Sequence, residues 1–275
     1  MAIKLRSIDI SNEAPAVIYE KYIKPGKPVI TNAIAHEWPA LTKWTPEFFM
    51  EKYGELEVPV FDHSFETPGK NYLDSTGKMR FRDYFKTILA GPSPLRLFLF
   101  QLLDVAPELR ADVSIPTGFG KINRRHIFLF FGGPGSSPPT HYDVDLPNVF
   151  HTVIHGKRRI VLFGPEESRN LYQHPFTVRS YMDLEKPDYK TYPRLSNARG
   201  YECVLTPGQT LFIPSGYWHK VYYQTGGYAI SYRQYVASRI PRGLYNLLIQ
   251  ESIDKLLNKL MPTRWSAWKH KRSMK

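Results

Sequence analysis

The sequence predicts a mainly β protein with flanking helices, and three observations carry that expectation. Aromatic residues make up 14% of the chain and prolines number 23, a composition suited to short strands broken by turns. From residue 126 onward the chain becomes a succession of short β-branched and aromatic runs: HIFLFF, NVFHTVI, RRIVLF, YECVLT, QTLFIP, HKVYYQ and YAISYRQY. Glycine, proline and aspartate separate these runs, as in a β-sandwich or small barrel.

Before residue 126 the pattern is mixed. A helix is expected from Asn12 to Tyr22, then an extended run at Pro28 to Asn32. A second helix should start at Thr45-Pro46, where threonine caps and proline fits the first turn. Residues 57 to 62 and 95 to 101 read as strands, with a short helix around Phe81 to Leu89 between them. Within the β region, Pro165 to Gly200 reads as a long insertion. The last periodic segment, Leu244 to Met261, places Leu244, Leu248, Ile249, Ile253, Leu256, Leu257 and Leu260 at helical spacing. Pro262 is expected to end it. No internal repeat breaks the chain, so the expected division is residues 1 to 236 as one domain and 237 to 275 as a C-terminal helix with a basic tail.

Composition excludes several classes. With 42% apolar and 23% charged residues over 275 positions, one sizeable core is available. No 18-residue apolar run appears and the opening MAIKLRSIDISNEAP lacks a signal-peptide core, so a soluble cytoplasmic protein is expected. A lone cysteine, Cys203, excludes an internal disulfide and a multi-cysteine zinc site, and it reads as a small buried strand residue. Net charge is +12, and residues 233 to 275 hold ten Lys and Arg against two Asp and Glu. That segment includes RWSAWKHKRSMK from Arg264, which could touch an acidic partner or remain a solvated terminus.

One constellation carries chemistry. Iron(II) oxygenases without haem need two imidazoles and one carboxylate on a single face of the metal, with the other positions open. In SPPTHYDVDLPNVFH, His141 and Asp143 lie two apart, so on a strand both face one side while Tyr142 faces the other. The third ligand is His219, 78 residues on, after a Pro207-Gly208-Gln209 turn, the strand TLFIP and the loop Ser215-Gly216-Tyr217. Of the nine histidines, His36, His63, His126, His174 and His270 read as surface or satisfied core residues, while His151 and His155 flank the site's strand and could brace it.

The runs GGPGSSPPTHYDVDLPNVFHTVIHGKRRIVLF, PDYKTYPRL, GYECVLTPGQTLFIPSGYWHKV and GGYAISYRQYV resemble the JmjC or cupin-8 hydroxylases, over roughly residues 25 to 236. The resemblance implies a double-stranded β-helix (jelly-roll) core with an N-terminal α/β region and a C-terminal helix. It implies Fe(II), 2-oxoglutarate and O2 as cofactors, with His141, Asp143 and His219 binding the iron. The family's basic residue, two after a glycine, matches Arg158 after Gly156 and would pair with the distal carboxylate of 2-oxoglutarate; a planar guanidinium suits that task. Lys157 would face away.

A family asparagine matches Asn148, and a second falls at Arg233. The family's carboxylate-binding tyrosine falls at Phe98 and its threonine at Pro138, so Thr140, Thr152 and Ser231 are candidate replacements. The expected activity is hydroxylation of a C–H bond in a macromolecule, protein or RNA, because family members act on protein side chains and on a tRNA base. Related hydroxylases are often dimers through C-terminal helices, so a homodimer is expected; membrane and DNA are not expected partners. Two rival readings are a catalytically silent metal-binding cupin that docks through its basic tail and a cupin using another metal without 2-oxoglutarate.

Overall fold

The computed structural model describes residues 3–64, 67–70, 74–115 and 117–275, with the side chain of His126 outside that set. Its strands in chain order are β1 (Lys4–Ser7), β2 (Val29–Thr31), β3 (Glu57–Val60), β4 (Gly77–Arg80), β5 (Arg96–Phe100), β6 (Asn123–Gly132) and β7 (Thr140–His141). There follow β8 (Asn148–His155), β9 (Arg158–Phe163), β10 (Arg179–Ser180), β11 (Arg199–Leu205), β12 (Thr210–Ile213), β13 (Trp218–Tyr223) and β14 (Gly227–Gln234). Two six-stranded sheets run in the orders β1-β11-β9-β13-β7-β10 and β2-β12-β8-β14-β6-β5. Their central strands, β11-β9-β13-β7 facing β12-β8-β14-β6, form the expected jelly roll, and each of the seven apolar runs is one of its strands.

Strand alternation divides the side chains between two cores. Val149 and Val153 of β8 point between the sheets, packing with Ile160, Leu162, Leu205, Leu211 and Ala229. Phe150 and Ile154 point outward into a larger cluster beneath the N-terminal helices. There Phe49 meets Tyr228 at 5.3 Å and Phe85 at 5.8 Å between ring centroids. Each fully buried ring contributes about 1.5–3 kcal/mol by burial alone. Phe49 is held by the helix Pro46–Lys52, whose cap is as expected: Thr45 Oγ1 accepts from the Phe48 amide at 3.1 Å. The expected helix near Asn12–Tyr22 is shorter, starting at Pro15 and widening into a π turn over Tyr19–Ile23.

Pro165 to Gly200 is more than an insertion. Leu171, Tyr172, Met182, Leu195 and Ala198 bury against Val161, Phe163 and Trp218, sealing the outer face of the sheet that holds β9 and β13, and β10 pairs with β7.

The C-terminal segment departs most from expectation. Helix runs over Ile240–Tyr245, a π turn over Asn246–Gln250, and helix again over Glu251–Leu260. Met261 breaks it, and Pro262 then opens another helix, Pro262–Ser273, so the basic tail is no solvated terminus. Proline lacks only an amide hydrogen that a first turn leaves unpaired anyway, so it starts this helix as readily as it stops the other. Trp265 is buried and its Nε1 donates to Asp254 at 2.7 Å; Lys269 Nζ donates to the same carboxylate at 2.6 Å. The preceding helix is turned opposite to its stripe: Asn246, Gln250, Glu251, Asp254 and Asn258 face inward, while Leu244, Leu248, Ile249, Leu256 and Leu260 are exposed. Gly243 permits the close approach, since a Cβ there would lie 2.6 Å from the Asp145 carbonyl oxygen. No helix among the described residues is long and apolar enough to cross a membrane.

Candidate metal centre

His141 and His219 sit opposite each other across the β7–β13 pair, with ring centroids 4.3 Å apart. The loop leaving β7 brings Asp143 beneath both rings. Its Oδ1 is 4.0 Å from His141 Nε2 and 3.9 Å from His219 Nε2, too long for hydrogen bonds. Three ligand atoms, one from each residue, lie within 4.8 Å of one another. Each ring is oriented by a backbone carbonyl: His141 Nδ1 lies 2.9 Å from the Pro139 oxygen and His219 Nδ1 3.2 Å from the Tyr217 oxygen. A carbonyl can only accept, so each Nδ1 carries its proton and each Nε2 turns a lone pair toward Asp143.

The electrostatics favour the ligand forms. Burial, then His219, push the His141 imidazole down to about 3, so it is neutral at physiological pH. Burial alone would raise the Asp143 carboxyl, but Arg233 and then both histidines outweigh it and hold it below the ordinary range. Arg233 donates to Asp143 Oδ2 at 3.1 Å and to Asp145 Oδ2 at 2.8 Å, leaving Oδ1 turned to the imidazoles. Two imidazoles and one carboxylate, braced from behind, match the donor set that iron(II) takes without haem. The C-terminal helix adds support: Asn246 Nδ2 donates to the Val144 oxygen at 3.1 Å, and Glu251 pairs at 3.4 Å with Arg179, the residue opposite His141 on β10.

Arg158 shares this interior. The turn before it closes on Gly156, whose φ of +81° and contact with Gly226 suit glycine alone. Arg158 is 1% exposed. One terminal nitrogen lies 3.0 Å from His151 Nε2, the other donates at 2.6 Å to the Phe130 carbonyl, and the Tyr223 ring lies 4.4 Å below. No carboxylate pairs with it, and its Nε has no hydrogen-bond partner, among the described residues. A buried cation without an anion is costly.

The other expected cosubstrate residues divide by strand phase. Ser231 and Arg233 point inward, to His151 at 2.7 Å and to Asp143 respectively. Thr152 alternates with inward-facing Val153 and pairs outward with Thr210 at 2.7 Å, so it does not face the cavity. Thr140 alternates with His141 and pairs with Ser180, which likewise turns it away. Asn148 is committed elsewhere, donating to Gln234 at 2.9 Å and accepting from the Ser215 amide at 2.9 Å. Phe98 packs on Phe61 at 4.6 Å. Lys157 is exposed. His155 stacks on Tyr228 in the outer layer, because a register shift between Tyr228 and Ala229 resets the alternation. Cys203 is buried, its thiol pushed up to about 12 by burial first and Glu202 second, which makes it inert. Residues that the sequence reading did not single out are Asp145, which doubles the hold on Arg233, and Tyr223, which shares the inward phase of His219 on β13.

The pattern of the family described as a cupin-like domain matches residues 15–236. Over 214 residues the chain is 31% identical to lysine-specific demethylase 8 of Xenopus tropicalis, covering 74% of this chain and 46% of that protein. It is 32% identical over 227 residues to lysine-specific demethylase JMJ30 of Arabidopsis thaliana, covering 77% and 50%. It is 30% identical over 203 residues to tRNA wybutosine-synthesizing protein 5 of Danio rerio, covering 66% and 60%. The chain spans about half the length of the curated relatives it matches.

Proposed function

Because the chain belongs to the cupin-like family that includes the JmjC proteins, we propose that it is an Fe(II)- and 2-oxoglutarate-dependent hydroxylase acting on a C–H bond of a protein side chain or an RNA base. The observation that carries this reading is the convergence of His141, Asp143 and His219. Fe(II), 2-oxoglutarate and O2 together supply the oxidation: the cosubstrate loses CO2 to become succinate, and one oxygen atom enters the substrate C–H bond.

The chain's own residues hold and orient. His141 and His219 would bind iron through Nε2 and Asp143 through Oδ1, with Arg233 fixing the second carboxylate oxygen. Arg158 would take the distal carboxylate of 2-oxoglutarate. Ile160, Leu162, Val149 and Leu211 line the space between the sheets and keep water from it. A macromolecular substrate is supported by relatives named for lysine demethylation and for wybutosine synthesis in tRNA. Mass spectrometry of protein and RNA from cells lacking the gene should show one site lighter by an oxygen atom. A lost mark on neither macromolecule, with a small molecule accumulating unoxidised, would overturn the substrate class.

The same reading includes a homodimer through the C-terminal helix. Five leucine and isoleucine side chains on its outer face are 47% to 65% exposed, while its polar face is spent on the core. Monomers seldom leave so contiguous an apolar surface open. Light scattering should give a dimer mass for the full chain and a monomer mass for Leu248→Glu, Leu256→Glu, two surface changes that leave the core untouched. A full-length monomer at micromolar concentration contradicts the dimer.

A further inference from the structure

The buried cation Arg158 has an unusual neighbour. Arg158 reaches across from β9 to the opposite sheet, where His151 Nε2 lies 3.0 Å from its terminal nitrogen. A guanidinium only donates, so this Nε2 is an acceptor and the imidazole proton sits on Nδ1. Nδ1 in turn lies 2.7 Å from Ser231 Oγ, on the residue directly opposite His151 in the β8–β14 pair. Arg158, which can only donate, therefore sets the tautomer, and Ser231 Oγ accepts the Nδ1 proton and holds the ring in the plane that meets the guanidinium. All three side chains are buried, at 6% exposure or less. Burial first, then the charge of Arg158, drive the imidazole well below its ordinary value, which keeps it neutral.

We propose that His151 is the positioning residue for 2-oxoglutarate: it holds the Arg158 guanidinium in place while leaving its charge unneutralised for the cosubstrate's distal carboxylate. The inference rests on the reading that Arg158 binds 2-oxoglutarate. An acidic side chain at this position would hold the guanidinium equally well, and would consume the charge the ligand needs. An apolar one would leave the charge but release the guanidinium from its place. Only a neutral acceptor does both, and a histidine seated on Ser231 is one; a glutamine, with its amide oxygen near the Nε2 position, is another.

The test is equilibrium binding of 2-oxoglutarate to the full chain loaded with Mn(II), without O2, for the wild type and for His151→Gln, His151→Leu and His151→Glu. Mn(II) affinity and thermal melting of each protein are measured beside it. The glutamine variant should bind within about threefold of wild type, because the acceptor is restored. The leucine variant should bind about tenfold or more weakly, and the glutamate variant about 100-fold or more weakly, with Mn(II) affinity kept in both. In turnover, the leucine variant should show a raised KM for 2-oxoglutarate and a near-normal kcat at saturation, a split that general loosening of the fold would not give. Leucine and glutamate variants that bind 2-oxoglutarate like wild type overturn the inference, and if the glutamate variant does not fold, the glutamine and leucine pair decides it. A wild-type protein that binds Mn(II) but no 2-oxoglutarate fails at the earlier step, the function itself.

Discussion

His219→Ala should bind iron(II) more weakly than wild type by well over 100-fold, and should lose turnover with it. Among the described residues His219 supplies one of the three ligand atoms brought together, and its partners His141 and Asp143 are too few to hold the ion alone. The magnitude separates a ligand from a brace: removing a group that merely orients a ligand typically costs about 10–100-fold. Arg233→Met, which frees Asp143 Oδ2 without touching Oδ1, should fall in that lower range. Both are read by metal titration of the purified apoprotein, with circular dichroism to show that the barrel persists. Stoichiometric iron retained in His219→Ala would remove the assignment.

Arg158→Ala should weaken 2-oxoglutarate binding by about 2–5 kcal/mol, roughly 30- to several-thousand-fold, with iron binding kept. The size follows from the surroundings of Arg158: 1% exposed and without a carboxylate partner among the described residues, it has its charge available in a buried setting. The obvious substitutes are poorly placed, since Lys157 is exposed and Arg233 is committed to Asp143 and Asp145. The raised requirement should appear as a KM effect, with kcat largely restored at high cosubstrate. Unchanged affinity would leave the anion site without its cation and send the search to other inward-facing residues.

How far the sequence spoke can be judged residue by residue. Period-two runs announced the long strands and Thr45-Pro46 a helix start, because burial on one face and an unpaired first-turn amide are local constraints. His141 and Asp143 were legible through their two-residue spacing, and His219 through the Pro-Gly turn, strand and loop that precede it, with the family resemblance behind all three. The two-residue strands β7 and β10 were not, since two residues show no alternation, and β1 pairs in parallel with β11 almost 200 residues away. Phase explains the cosubstrate residues: Thr140 and Thr152 each sit one step from an inward residue, so a chemically plausible hydroxyl faces the wrong side. His151 shares the inward phase of Val149 and Val153, a signal present in the sequence but weaker than the pull of the longer-established motif beside it. The orientation of the C-terminal helix could not be read, because the stripe says that an apolar face exists and not which face the core will take.

The most direct test of the whole account is succinate formation by the purified chain supplied with Fe(II), 2-oxoglutarate and O2, compared with Asp143→Ala. Even without its true substrate, the wild type should convert 2-oxoglutarate slowly to succinate, and the variant, which lacks the one carboxylate of the metal site, should not. Succinate produced equally by both proteins, or by neither when the wild type is loaded with iron and a candidate protein or RNA substrate is present, would contradict it.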